Sequence, residues 1–444
     1  MLLPLAGGLA LLVLEVALPH AWKHKKRSDA LRSAHSQLEL HDDQLISLQR
    51  QIEDAFDCGA SERLNARLPM LRTFVYPSSI PTPTSLSNGS ERAIYSIDLG
   101  GTNIRLCRIL LGAGSSASDA STHRITLSLT MPHELLSAPT QSLFDFLGQR
   151  LADFVHSFND YTEAAYHGSV PVGFCFSFPV EQTSLSSGNL LGWTKGYACT
   201  GGIGNDVSQM LAAGASKAGL SIDVKALVND TVALLAAARG AGDGDCGCAF
   251  VFGSGVNGAF FYGPEDEARS SELGNHDSDS VPSHWVDCEL DASSVNPGKQ
   301  LFEKKVSGNY LGCVLGRLAH QCLSVDFHGT SEDVARIDGD VEEAKRWTKK
   351  SAVELQKLAQ LVRRRAARLA GAAVAAARKK SSSKAVGLEG AVAEKYVEFR
   401  RDVEQVVEQL TREGSAASNS EAARLFTVRD GAVVGAALIA AAQN

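Results

Sequence analysis

Ile94-Tyr95-Ser96-Ile97-Asp98-Leu99-Gly100-Gly101-Thr102-Asn103-Ile104-Arg105 decides how the rest of the chain is read. Ile94, Tyr95 and Ile97 are strand formers. The two glycines that follow permit a tight turn whose backbone N–H groups can approach an oxyanion closely. Thr102 adds a hydroxyl donor. Asp98, at the strand end, is placed to hold a hydrated Mg²⁺ rather than strip its water. A second stretch, Phe250-Val251-Phe252-Gly253-Ser254-Gly255-Val256-Asn257-Gly258-Ala259-Phe260, repeats the order of apolar strand, glycine-rich turn, hydroxyl, Asn and second strand. Two such hairpins suggest a duplicated lobe with a nucleotide gripped between the halves. Two unrelated turns are the plainer alternative, because glycine-rich turns alone are weak signals.

The rest of the composition is compatible with that picture. A chain of 444 residues has room for about three domains or for two large lobes and a cleft. A hydrophobic share of 44% with 21% charged residues fits a globular protein with a sizeable core. A net charge of −7 and a pI near 6.0 argue against a nucleic-acid surface. Nine scattered cysteines fit a reducing compartment, and Cys246 and Cys248 lack the usual metal-ligand spacing. Residues 2–18 are apolar apart from Glu15, and Lys23, Lys25, Lys26 and Arg27 follow. A secretory signal has its positive charge before the apolar run. The reverse order here reads as a short membrane anchor that keeps the chain on the cytosolic side; a signal peptide and a buried helix are the alternatives.

Further along, Leu45, Leu48, Ile52 and Phe56 mark one face of an amphipathic helix that must dock on a lobe. Residues 76–90 and 112–122 are Pro-, Ser- and Gly-rich loops. Leu143, Phe146, Leu147, Leu151, Phe154, Val155 and Phe158 mark a core-facing helix. Val170, Val172, Phe174 and Phe176 alternate as a strand that runs into Ser177, and Gly192-Trp193-Thr194-Lys195-Gly196-Tyr197 ends a loop. Ser177, Thr194 and Lys195 set short donors and one cation among aromatics, a mixture that suits a polyhydroxylated ligand; an ordinary surface loop is the alternative. The strand at Val224–Val228 ends in Asn229-Asp230. A carboxylate at a strand's C-terminal end is a usual catalytic location in α/β sheets, although either residue could equally be a helix N-cap. Residues 349–384 carry Leu355, Leu358, Leu361, Ala366 and Leu369 on one helical face. Arg363, Arg364, Arg365 and Arg368 read as its solvated side, with a membrane or acidic-partner patch as the alternative. Residues 381–384 read as a flexible break.

Together these runs resemble the eukaryotic hexokinase family from about Leu40 to the end. Five blocks match in the family's order. They are Asp98–Arg105; Phe176-Ser177-Phe178-Pro179 with Trp193-Thr194-Lys195-Gly196; Leu227–Thr231; Gly253–Asn257; and Asn296–Lys304 followed by Ser307–Gly312. The resemblance implies an α/β, actin-like ATPase (ribonuclease H-like) fold of two lobes around a sugar/ATP cleft. An anchor at 1–27 and a helix and linker at 28–90 would precede a small lobe at 91–228 and a large lobe at 229–444. It implies ATP- and Mg²⁺-dependent phosphorylation of a hexose (glucose, with fructose or mannose) at the 6-hydroxyl, the first step of glycolysis. Asp230 would be the general base and Lys195 its cationic companion. Ser177, Thr194, Lys195, Asn229, Asp230, Asn257, Glu272 and Glu303 would hold the sugar. Asp98, through water on Mg²⁺, with Gly100, Gly101, Thr102, Asn103, Arg105, Gly253, Ser254, Gly390 and Gly431, would hold the nucleotide. The apolar run at 2–18 resembles the anchor of plant-type and some fungal hexokinases on the mitochondrial outer membrane.

The chain also departs from that pattern. Leu273 follows Glu272 where the family usually has an aromatic. The adenosine turn reads Gly387-Leu388-Glu389-Gly390-Ala391 instead of an Asp-Gly-Ser type. The last block reads Asp430-Gly431-Ala432-Val433-Val434-Gly435 in place of Asp-Gly-Ser-Gly. Methyls replace hydroxyls, and each lost hydrogen bond to a charged ligand group is worth about 1.5–3 kcal/mol. A sugar-binding regulator with weak or no catalysis is therefore the second reading. A chaperone-type ATPase or a bacterial-type sugar kinase would share the fold alone.

Overall fold

The computed structural model describes residues 25, 27–60, 68, 70–81, 92–111, 124–158, 168–241, 244–278, 281, 283–413 and 423–443. The apolar run at 2–18, the loop at 112–122 and most of the loop at 76–90 lie outside the described residues. The strands are β1 (Leu71–Arg72), β2 (Arg92–Leu99), β3 (Asn103–Leu111), β4 (Arg124–Thr130), β5 (Val170–Phe176), β6 (Val180–Ser184), β7 (Ser187–Leu190), β8 (Ile222–Val228), β9 (Cys246–Phe252), β10 (Val256–Tyr262), β11 (Glu267–Ser270), β12 (Ala385–Glu389) and β13 (Arg424–Thr427).

One sheet has the order β4-β3-β2-β5-β8 and the other β1-β11-β10-β9-β12-β13. Without the two-residue β1 the sheets share one plan. In each, an antiparallel hairpin (β2–β3 or β9–β10) carries a third antiparallel strand on one side and two parallel strands on the other. Both glycine-rich stretches are therefore hairpin turns at the same place in the same topology. Leu99 pairs with Ile104 across the first and Phe252 with Val256 across the second. Duplication, not coincidence, explains the repeated pattern.

The helices that follow the last strand of each sheet are exchanged. Helix Asp230–Ala241 leaves β8 and packs on β9, β10 and β12 of the other sheet, while helix Gly431–Ala441 leaves β13 and packs on β2, β5 and β8. They also pack on each other, and nearly every residue of both is buried. This pair forms a core between the sheets. Tyr95, Phe144, Phe174 and Phe176 belong to a second core, between the first sheet and helices Thr140–His156 and Val207–Lys217. The third core lies on the far side of the second sheet and includes Leu45, Leu48, Ile52 and Phe56, all fully buried. Helix Asp42–Ala60 thus docks on the lobe that comes last in the chain, with the Phe56 ring 4.6 Å from that of Phe260.

Two expectations about the long basic segment do not hold. The arginines of helix Ala352–Lys380 are not a solvated face. Arg365 is buried and donates twice to Asp287, at 2.8 and 2.6 Å. Arg363 pairs with Asp338 and Asp402, Arg368 with Asp42, and Arg364 meets His35. This helix lies at the centre of its lobe, and helices from distant parts of the chain supply the acids. Residues 381–384 are a packed turn rather than a flexible break: the buried Ser383 hydroxyl accepts from Gly247 N–H at 2.6 Å and donates to the Ala385 carbonyl at 2.5 Å.

Candidate active site

The site is built where the C-terminal ends of both sheets face each other. On the first sheet Asp98 is the penultimate residue of β2 and is buried. Arg105 on the paired strand donates to its Oδ2 at 3.2 Å, and its Oδ1 is buried beside the Cys175 thiol on β5. Burial pushes the Asp98 carboxyl up, against the pull of Arg105. The turn between β2 and β3 closes with Gly100 N–H donating to the Asn103 carbonyl at 3.1 Å, and the Asn103 amide donates to the Thr102 hydroxyl. A Cβ on Gly101 would lie 3.5 Å from the Lys195 Cβ, so the phosphate-type turn rests against the stem of that lysine.

Lys195 is held by aromatics. Trp193 and Tyr197 stack at 5.7 Å, Phe178 packs edge-on to both, and the ammonium lies 5.8 Å from the Phe178 ring. The Tyr197 hydroxyl donates to the Gly100 carbonyl at 3.2 Å, which ties the loop to the turn. Lys195 itself has φ +54°, an uncommon conformation for a side-chain-bearing residue. Its Nζ lies 3.8 Å from Asp230 Oδ2. Of the alternatives left open for Asn229 and Asp230, the helix cap is observed, at Asn229. Asn229 Oδ1 caps the helix by accepting from Val232 N–H at 2.9 Å, and Asp230 Oδ1 accepts from Thr231 N–H at 2.8 Å, leaving Oδ2 toward Lys195.

The second sheet and the segments packed on it contribute three half-buried polar residues. Asn257 on β10 donates to Glu272 Oε1 at 3.3 Å, and its own carbonyl accepts from Gly258 N–H, Ser271 Oγ and Leu273 N–H. Ser270 Oγ gives Glu272 a shorter bond of 2.8 Å. Glu303 Oε2 accepts from Val256 N–H at 2.9 Å. Burial raises both glutamates, Asp230 adds to the effect on Glu272, and the Lys195 ammonium pulls both down. Lys195 and Asp230 therefore share one electrostatic neighbourhood with Asp98, Glu272 and Glu303. Glu272 stands in this cluster despite its altered neighbour. Ser177 follows β5 and Thr194 is exposed beside Lys195; among the described residues neither is hydrogen-bonded to one of these carboxylates. Asp98 suits a hydrated Mg²⁺, being a buried carboxylate with one oxygen left to a weak thiol donor.

At the nucleotide end the second turn closes with Gly253 N–H donating to the Gly255 carbonyl at 3.0 Å, and the Ser254 side chain is exposed. Gly390, just past β12, meets it, its Cα 3.5 Å from where a Cβ on Gly253 would lie, whereas Gly431, at the head of the last helix, meets Glu389 and Leu234. Neither offers a free backbone donor: Gly390 N–H donates to Glu394 Oε1 at 3.0 Å and Gly431 N–H to Glu389 Oε1 at 3.1 Å. Sequence reasoning missed Tyr197, Ser270 and Cys175 as supports of the site. Tyr197 stood in the quoted loop, and Ser270 lies two residues before Glu272, so both had a positional signal. Cys175 looked like one more apolar strand residue.

Two lobes on one strand plan, with glycine hairpins and an acid–lysine pair between them, define a phosphoryl-transfer enzyme of the actin-like ATPase fold. Two family models, both described as Hexokinase, match residues 30–239 and 248–442. Hexokinase-4, chloroplastic, of Oryza sativa subsp. japonica is 32% identical, covering 89% of this chain and 85% of the relative. Hexokinase-1 of Nicotiana tabacum is 30% identical, covering 89% and 88%. Among solved structures, the hexokinase from Schistosoma mansoni complexed with glucose superposes with a TM-score of 0.75 at 23% identity, over 94% of this chain and 99% of that one. Another hexokinase crystal structure reaches 0.82 at 23% identity, over 95% and 100%. The chain belongs to the hexokinase family and is an ATP-dependent hexose kinase.

Proposed function

We propose that the hexose is of the glucose type, with fructose or mannose also accepted, that its 6-hydroxyl is the acceptor, and that Asp230 is the general base. The observation that supports this best is the Lys195–Asp230 pair, 3.8 Å apart, with the Gly100-Gly101 turn on one side and Asn257, Glu272 and Glu303 on the other. An alcohol is a poor nucleophile. A carboxylate within hydrogen-bond reach takes its proton as the bond to phosphorus forms. The remaining work is positioning and charge stabilisation. Asp230 Oδ2 receives the hydroxyl proton, and Lys195 offsets the charge that gathers around it. Asn257, Glu272 and Glu303, with Asn229, Ser177 and Thr194, hold the other hydroxyls. Carboxylates and amides can tell epimers apart because a misplaced hydroxyl leaves them unpaired. Mg²⁺ held by Asp98 through water would neutralise phosphate charge. The Gly100–Asn103 turn and the Gly253-Ser254 turn hold the phosphates from the two lobes, and lobe closure excludes water as a competing acceptor.

A coupled assay for glucose 6-phosphate, on protein beginning near Ser28, tests this reading. Asp230→Ala should lower kcat by about 10²–10⁴-fold. Turnover that survives the substitution would remove Asp230 from the role. The second reading, a sugar sensor with weak catalysis, is favoured by Glu389 and by Ala432 and Val433 in the last block. It predicts calorimetric sugar binding without product at high ATP. We also infer that residues 2–18 anchor the chain at the cytosolic face of a membrane, the mitochondrial outer membrane being the expected one. Deleting residues 1–27 should release tagged protein into the cytosol, and membrane retention would refute the anchor.

A further inference from the structure

The corner where Gly431 begins the last helix is already occupied by negative charge. Strand β12 ends at Glu389, opposite Val251 on β9, so the side chain emerges beside the second glycine turn. Its Oε1 accepts from Gly431 N–H at 3.1 Å, and a Cβ on Gly431 would lie 2.7 Å from Oε2. The carboxylate therefore lies over the first residue of helix Gly431–Ala441, where the helix dipole and its unpaired N–H groups favour an anion. The residue expected to cap that helix does not. Asp430 has φ +55° and makes no side-chain cap bond; its carboxylate pairs with Arg124 at 3.2 Å. Glu389, from another strand, has taken over the cap.

The surroundings are short of positive charge. Arg105 draws on Glu389 from across the cleft, but its guanidinium is bonded to Asp98. Glu394 adds a further negative charge, and its carboxylate holds the other glycine donor, Gly390 N–H. The groups facing Glu389 are thus one arginine, two further carboxylates and the helix end, with the Arg124–Asp430 pair behind. Gly390 and Gly431, two of the glycines that the resemblance assigns to nucleotide, thus have their N–H groups satisfied from within.

We propose that Glu389 is a built-in competitor for nucleotide: its carboxylate occupies the Gly431 N–H and the field of Arg105, and nucleotide phosphates bind here only by displacing it. This rests on reading the two glycine hairpins as phosphate turns. The consequence is a lowered affinity for nucleotide with sugar affinity untouched, because Glu389 makes no hydrogen bond to Asn257, Glu272, Glu303 or Asp230 among the described residues.

Isothermal calorimetry at pH 8, where Glu389 is ionised, with MgADP on the wild type, Glu389→Gln and Glu389→Ala tests it, with glucose titrated separately as a check on the fold. Gln keeps an oxygen that can accept from Gly431 but carries no charge; Ala vacates the corner. Removing one repelling charge at close range should tighten MgADP binding about five- to tenfold in both variants, with glucose affinity within about twofold of wild type. Equal or weaker MgADP binding in variants that still bind glucose would overturn the inference, because Glu389 would then be only a cap or a support for the nucleotide. Glucose 6-phosphate formation is scored apart from binding. Wild-type turnover with unchanged MgADP affinity in both variants sinks the inference and leaves the kinase reading intact. Tighter MgADP binding without product from any of the three proteins keeps the inference and favours the sensor.

Discussion

At the scale of single residues, the cleft carries carboxylates that the fold alone would rather leave protonated. Burial raises Asp98, Glu272 and Glu303, and pushes Glu389 up to about 7 from an ordinary value of 4.5. For Glu389 the sign follows from linkage. Between pH 4.5 and about 7 the folded chain holds this proton more tightly than the unfolded chain. Stability is therefore lost as pH rises across that window. Glu389→Gln cannot ionise, so its melting temperature should match wild type near pH 4.5 and exceed it at pH 8, by the equivalent of about 1–3 kcal/mol. A difference independent of pH would mean that Glu389 is not the titrating group. Most of the carboxylates and amides in the cleft were legible in the sequence, because each sits in a short block where type and spacing speak together. The occupation of Gly431 N–H by Glu389 was not legible. Those two residues are 42 apart in the chain and meet only after β12 and the last helix have packed.

At the scale of elements, the glycine hairpins could be read because strand, turn and strand are contiguous. The long helix Ala352–Lys380 could be read as a helix, but its setting could not. A basic face next to a leucine stripe has the pattern of an exposed amphipathic helix, and the acids that overrule that pattern come from helices Asp42–Ala60, Trp285–Ala292, Ser331–Gly339 and Val397–Glu413. The pairs are not equal in weight. Burial opposes ionisation of Asp287, yet the bidentate Arg365 guanidinium outweighs it and holds the carboxyl below the usual range. Arg365→Met would leave Asp287 charged and buried without its guanidinium, with the His284 N–H as its remaining hydrogen bond, a loss of about 3–5 kcal/mol. Arg368→Ala breaks a pair with the exposed Asp42 and should cost at most about 1 kcal/mol. Urea denaturation of the two variants compares them directly. Similar midpoints would show that the Arg365 pair is not the buried support its geometry implies.

At the scale of the whole molecule, the exchanged helices make two lobes into one cooperative body. Helix Asp230–Ala241 starts at the proposed base and packs on the second sheet; helix Gly431–Ala441 starts at the nucleotide corner and packs on the first. They meet tightly at Gly435, where a Cβ would overlap the Ala233 carbonyl oxygen, and the Ser96 hydroxyl fixes the last helix to β2 through the Val433 carbonyl at 2.7 Å. A side chain at 435 must push the helices apart, and overpacking of this kind costs about 1–3 kcal/mol. The same displacement moves Asp230, at the head of one helix, relative to Lys195, whose loop is tied to the first sheet through Tyr197 and Gly100. Gly435→Ala should therefore lower the melting temperature and weaken glucose binding together, and Asp230→Ala should leave the melting temperature nearly unchanged. Thermal unfolding and calorimetry on the two variants separate the cases. If Gly435→Ala melts early yet binds glucose at wild-type strength, the helix pair supports stability without setting the distance between the lobes, and the coupling of fold to site through these helices is wrong.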